Sequence, residues 1–287
     1  MTAIAPSFTR NGLAVYEKGA GEPVFLMPYP HGYTRVRTAE GPLFAILAEI
    51  GRKVITFDPP GAYSSDRAPD VGMPEMLACA AEVMEAAGLS RPVDMVGHSM
   101  GGLCVLGMAI ERSKTPKKII VLNSLAGPRC VRRYRALPYN WPYLSQDFRS
   151  FVRVGSRAAR GKATMREHKL LQRLVMNVSY RDEAYLESHL EDIGPDLPED
   201  ESLLAPPRDV WPAKIARIDY TKRLGEIKAP ALVITGRYDP QVPESAARDM
   251  SGLIPNSKLI IFEDSAHYPF IEEPELFRRE LASFLEP

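Results

Sequence analysis

Val93-Asp94-Met95-Val96-Gly97-His98-Ser99-Met100-Gly101-Gly102 is the stretch that decides how this chain folds. Residues 93–96 read as a short apolar strand, and the run from 100 to about 112 reads as a helix. Between them stands Gly97-His98-Ser99-Met100-Gly101, a G-x-S-x-G pattern at a strand-to-helix turn. A turn this sharp forces Ser99 into a strained backbone conformation and exposes its hydroxyl at the sheet edge. Side chains at 97 and 101 would collide across the turn, so both positions favour residues without a Cβ. The helix N-terminus behind Ser99 carries partial positive charge and unpaired N–H groups, and the Met100 N–H is placed to hold an oxyanion. His98 is expected to point away from the nucleophile and to pack or hydrogen-bond structurally.

Working outward, apolar runs at 13–16, 24–27, Lys53–Phe57 and 118–122 read as further strands, and the pattern resumes at 231–234 and 258–262. Helical stretches alternate with them. Leu43, Phe44, Ile46, Leu47 and Ile50 fall at helical spacing and Gly51 ends that helix, while Pro74 opens a helix that Gly88 stops. Pro274–Leu285 carries Leu276, Phe277, Leu281 and Phe284 on one face. Near-continuous apolar strands alternating with helices predict a mainly parallel sheet covered on both faces. From 127 to 225 the rhythm stops, leaving aromatic and proline clusters and helix-like segments at 165–176 and 182–193. That interruption reads as an inserted helical cap. The expected division is a core of 1–126 and 226–287 with the cap between.

A serine nucleophile needs a base, and the base an orienting carboxylate, in chain order Ser, acid, His for a sheet built this way. Five histidines are available. His31 and His98 precede or adjoin Ser99, and His168 and His189 fall in the cap. Only His267 follows the last strand, in Asp264-Ser265-Ala266-His267-Tyr268-Pro269-Phe270. For the acid, Asp239 ends Gly236-Arg237-Tyr238-Asp239-Pro240, directly after the strand at 231–234. Asp264 lies too near His267 and reads as a support for its loop. The strand ending near Leu122 is followed by Asn123-Ser124, which offers no carboxylate. Asp58 follows an earlier strand and is out of order.

Bulk properties bound the rest. The 287 residues suffice for one large α/β domain plus an insertion, at 45% hydrophobic and 25% charged. A net charge of zero offers no field for a polyphosphate backbone, so nucleic acid is not an expected partner. No apolar run approaches the roughly 20 residues that span a bilayer, and residues 1–10 lack the features of a secretion signal. A cytoplasmic protein is the expectation. Cys79, Cys104 and Cys130 show no zinc or disulfide spacing and read as structural thiols. No metal or organic cofactor is expected, and the partner is a small acyl substrate.

Gly97–Gly102, Gly236–Pro240, Asp264–Phe270 and the trailing Ile271-Glu272-Glu273-Pro274-Glu275-Leu276-Phe277 together resemble the α/β-hydrolase superfamily. Within it the chain looks most like the prolyl aminopeptidase-like and small-ester hydrolase branch, whose Asp-x-x-Gly turn is matched by Asp58-Pro59-Pro60-Gly61. The resemblance implies the α/β-hydrolase fold with a cap, and a triad of Ser99, Asp239 and His267. Serine at the elbow separates it from haloalkane dehalogenases and epoxide hydrolases, which carry aspartate there. Two departures weigh against the peptidase. Met27-Pro28-Tyr29-Pro30-His31-Gly32 stands where the branch has His-Gly-Gly-Pro-Gly, and Met100 stands in place of a Trp. Pro30 has no N–H to donate, so the second oxyanion donor falls to Tyr33, with Tyr29 as the fallback. The implied activity is cleavage of a small ester, thioester or lactone. Alternatives are an aminopeptidase using Asp182, Glu183, Glu187 or Glu191 against the substrate amine, a carbon–carbon bond hydrolase, and a ligand receptor.

Overall fold

The computed structural model describes residues 4–29, 37–67, 72–127, 218–239 and 241–286, with 157, 164 and 167. Its strands are β1 (Phe8–Arg10), β2 (Leu13–Lys18), β3 (Pro23–Met27), β4 (Lys53–Phe57), β5 (Val93–His98), β6 (Pro116–Leu122), β7 (Ala231–Gly236) and β8 (Ser257–Phe262). Helices are α1 (Pro42–Glu49), α2 (Met73–Ala86), α3 (Met100–Glu111), α4 (Glu244–Leu253), α5 (Pro269–Glu272) and α6 (Pro274–Leu285). The strands form one eight-stranded sheet in the order β1-β2-β4-β3-β5-β6-β7-β8. β2 pairs antiparallel with both β1 and β4, and every other neighbouring pair is parallel.

Alternation along the strands sends neighbouring residues into two separate apolar layers. Phe25, Met27, Met95, Ile119, Val121 and Val233 enter one, with α2, α3 and α4 packed on it through Cys79, Val83, Leu106 and Met250. Val24, Leu26, Val96, Ile120, Leu122 and Ile234 enter the other, which α1 and α6 cover through Phe44, Leu47, Phe277 and Leu281. Both faces are buried, so these strands read as continuous apolar runs.

Two parts of the fold differ from expectation. β1 and α4 were not legible, because β1 is three residues long and α4 buries only Ala246, Ala247 and Met250. The segment 218–225, assigned above to the insertion, packs against the sheet domain. Tyr220 and Leu224 are buried in the layer containing α3, and Tyr220 N–H donates to the Ala126 carbonyl at 2.8 Å. The rest of the insertion lies outside the described residues, apart from Gly127, 157, 164 and 167. Among the described residues no helix is long and apolar enough to cross a membrane.

Candidate active site

Because β3 to β8 are parallel, the loops that follow β3, β4, β5, β6, β7 and β8 all leave from one edge of the sheet. Ser99 sits there between β5 and α3 with φ 51° and ψ −120°, a backbone conformation that costs a non-glycine residue about 1–3 kcal/mol. Its N–H is held by the Leu122 carbonyl of β6 at 2.8 Å. A Cβ at position 97 would lie 2.3 Å from the Gly101 carbonyl oxygen, as the motif requires. The constraint on Gly101 differs from expectation: a Cβ there would meet the Met27 carbonyl oxygen at 2.8 Å, so the end of β3 sets it. That close approach brings the loop after β3 against the first turn of α3. Met100 opens this helix, where N–H groups have no acceptor within the helix.

Asp239 and His267 meet on the same edge. His267 Nδ1 and Asp239 Oδ2 are 2.7 Å apart, and both side chains are buried. A carboxylate only accepts, so Nδ1 carries the proton and Nε2 is left as the basic nitrogen. Three more donors fix the carboxylate. Asn123 Nδ2 donates to Oδ2 at 2.7 Å, and the N–H groups of Gln241 and Val242 donate to Oδ1 at 2.8 and 3.0 Å. Asn123, fully buried with φ 42°, also donates to the Ala266 carbonyl at 3.0 Å, joining the Asp239 loop to the His267 loop. The two loops are laced further by Tyr238 N–H to the Ser265 carbonyl at 3.0 Å. Gly236 is required by that contact, since a Cβ there would lie 2.0 Å from the Ala266 oxygen.

The loop carrying His267 is pinned from behind by two carboxylates at the junction of α5 and α6. Glu272 accepts from Ala266 N–H at 2.8 Å, and Glu273 from Ser265 Oγ at 2.6 Å and Asp264 N–H at 3.0 Å. His98 is engaged at both ring nitrogens, by the Tyr29 hydroxyl at Nδ1 and by the His267 carbonyl oxygen, 2.8 Å from Nε2. Burial, and then the nearby His267, hold its pKa well below the ordinary imidazole value.

The remaining candidates divide cleanly. Asp58 is buried away from this pairing; its carboxylate accepts from Tyr16 Oη at 2.8 Å and Ser64 N–H at 3.0 Å, and burial raises its pKa. Cys79 and Cys104 are buried and unbridged, with burial pushing both thiols up to about 12. Tyr33, the favoured second oxyanion donor, lies outside the described residues, as do Pro30, His31, Cys130, His168, His189 and the cap carboxylates. Tyr29, the fallback, lies two residues beyond β3 with its phenol on His98. Asn123 and the Tyr29–His98 pair were missed by sequence reasoning. Asn123 had been passed over for lacking a carboxylate, although an Asn directly after an apolar strand is a residue that tolerates positive φ.

A family model described as "alpha/beta hydrolase fold" matches residues 30–274. A 2-hydroxy-6-oxononadienedioate/2-hydroxy-6-oxononatrienedioate hydrolase of Burkholderia vietnamiensis is 30% identical over 249 residues, covering 83% of this chain and 78% of the relative. A pimeloyl-[acyl-carrier protein] methyl ester esterase of Vibrio vulnificus is 29% identical over 195 residues, 66% of this chain and 68% of the relative. Among solved structures, an alpha/beta fold family hydrolase from Bacillus anthracis superposes with a TM-score of 0.75 at 22% identity, over 95% of each chain.

Proposed function

The chain is a hydrolase belonging to the α/β-hydrolase fold family, and from that premise we propose that it is a serine hydrolase cleaving a small carboxylic ester, thioester or lactone. The observation that carries the proposal is the Asp239–His267 contact of 2.7 Å on the sheet edge that also bears the strained Ser99. His267 Nε2 takes the Ser99 proton as Oγ attacks the carbonyl carbon. Asp239 holds the ring in the required tautomer and stabilises the imidazolium that forms. The Met100 N–H, at the positive end of α3, receives the oxyanion; the second donor comes from the loop after β3, at Tyr33 or Tyr29. Collapse of the tetrahedral intermediate expels the alcohol, thiol or enol, which takes the proton from His267. Water, deprotonated by the same nitrogen, then attacks the acyl-enzyme and releases the acid.

Likeness to the pimeloyl-[acyl-carrier protein] methyl ester esterase supports the ester reading. Likeness to the 2-hydroxy-6-oxononadienedioate hydrolase favours a second, in which the attacked carbonyl is a ketone and a carbon–carbon bond breaks. A parallel screen of acyl esters, lactones, aminoacyl arylamides and 2-hydroxy-6-oxo dienoates separates them, with Ser99→Ala as the blank. Turnover of an ester or lactone well above the blank supports the first reading. Turnover confined to the dienoates replaces it with the second, and activity that Ser99→Ala retains overturns both.

A further inference from the structure

Three loops of the catalytic edge are joined by one short chain of side chains: Tyr29 after β3, His98 at the end of β5, and His267 after β8. The His267 carbonyl can only accept, so His98 Nε2, 2.8 Å away, carries the proton. In a neutral ring Nδ1 is then an acceptor, and the Tyr29 hydroxyl donates to it. The other tautomer would turn a lone pair toward the carbonyl oxygen, and a protonated ring would reverse the second bond, with Nδ1–H donating to the Tyr29 oxygen. Burial keeps the ring neutral. Packing holds it in place as well. The His98 centroid lies 4.7 Å from His267, 5.2 Å from Tyr268 and 5.1 Å from Phe270, the last edge to face.

Resting on the reading of Ser99, His267 and Asp239 as catalytic, we propose that Tyr29 and His98 are positioning residues, a strut of fixed tautomer that sets the main chain at His267 against the elbow. Asp239 holds the imidazole at one atom, Nδ1, about which the ring can still pivot. The strut adds an anchor on the other side of that residue, at its own carbonyl, while Asn123 anchors the preceding carbonyl at Ala266. Donor and nucleophile are consecutive residues, so a displacement of His98 carries Ser99 and His267 together and preserves their separation. Tyr29 extends the tie to the loop expected to supply the second oxyanion donor.

The test compares Tyr29→Phe, His98→Leu and His98→Gln by the rate of fluorophosphonate labelling and by kcat and KM on p-nitrophenyl acetate. Gln keeps a donor for the carbonyl and an acceptor for the phenol; Leu keeps neither. His98→Leu is expected to lower kcat and the labelling rate about 10- to 100-fold with KM little changed, the loss of an aligned attack rather than of binding. His98→Gln should recover most of that loss, and Tyr29→Phe should fall about 5-fold, the scale of one hydrogen bond. Equal rates in the Leu and Gln variants, or lowered thermal stability with unchanged kcat, would overturn the strut. If His98→Leu does not fold, Tyr29→Phe decides: an unchanged kcat overturns it. Labelling or turnover that survives in Ser99→Ala would overturn the catalytic reading instead, so the two failures are distinguishable.

Discussion

The two edges of the parallel sheet are built from similar polar residues put to opposite uses. At the edge where strands begin, Arg52 pairs with the buried Asp94 and donates to the Leu285 carbonyl at 3.1 Å, and Lys118 reaches the Phe284 carbonyl at 2.9 Å. These groups fasten the last helix under β4, β5 and β6. At the edge where strands end, His98, Asn123, Asp239 and His267 are just as buried, yet their hydrogen bonds converge on the Asp239–His267 pair, at the His267 ring and carbonyl and at the Asp239 carboxylate. Of the four non-glycine residues with positive φ among the described ones, Tyr63, Ser99 and Asn123 all follow strands on this edge. Strain and convergent polarity together distinguish the edge proposed to do chemistry, and burial of charge alone does not.

Substitutions at the two edges should therefore fail in different ways. The largest effect is expected from Ser99→Ala, which should lower kcat by about 10⁴-fold or more while leaving the unfolding midpoint nearly unchanged. Asp239→Asn should follow, with a kcat loss of about 10³- to 10⁴-fold. With its NH₂ at the Oδ2 position, an amide there offers a donor to His267 Nδ1, favours the wrong tautomer and faces the Asn123 donor, while its oxygen keeps the Gln241 and Val242 N–H groups. At the opposite edge, Asp94→Ala strands the Arg52 guanidinium and should cost about 3 kcal/mol in denaturant unfolding, with kcat per folded molecule within about 2-fold of wild type. A large kcat loss in Asp94→Ala with unchanged stability would erase the contrast between the edges.

The smallest effect is on the pH dependence of stability. Folding keeps His98 neutral below its unfolded pKa of about 6.5, whereas the unfolded chain takes up a proton there. Protons thus favour unfolding: the contribution is fully present above about pH 6.5 and is lost as pH falls toward the depressed folded value. Denaturant titrations between pH 7 and 5 should show stability falling more steeply for wild type than for His98→Gln, by at most one proton. Parallel curves would mean that His98 is already charged in the folded state.

Most of the sheet was legible because its strands are apolar on both faces and end at turn residues. Lys53–Phe57 and Pro274–Leu285 match their expected bounds to the residue. The Asp239–His267 contact was legible for the same reason: each residue lies in the first loop after a readable strand. The structural role of His98 was expected, but its partners and those of Asn123 and Tyr29 were not legible, because they lie far along the chain. Tyr29 meets His98 across 69 positions, and His98 meets His267 across 169. Periodicity reports which face a residue occupies and carries no trace of such pairings. The packing of 218–225 was not legible on similar grounds, since its burial depends on α3 and α4 rather than on any pattern of its own.

Everything proposed for the catalytic edge turns on Ser99 being the atom donor that attacks. The direct measurement is peptide mass mapping of the wild-type protein after fluorophosphonate inactivation, with residual esterase activity followed in the same sample. A single adduct on the peptide containing Ser99, rising in step with the loss of activity, is the expected result. Full inactivation with the adduct on another residue, or an enzyme that stays active with Ser99 fully modified, would contradict it.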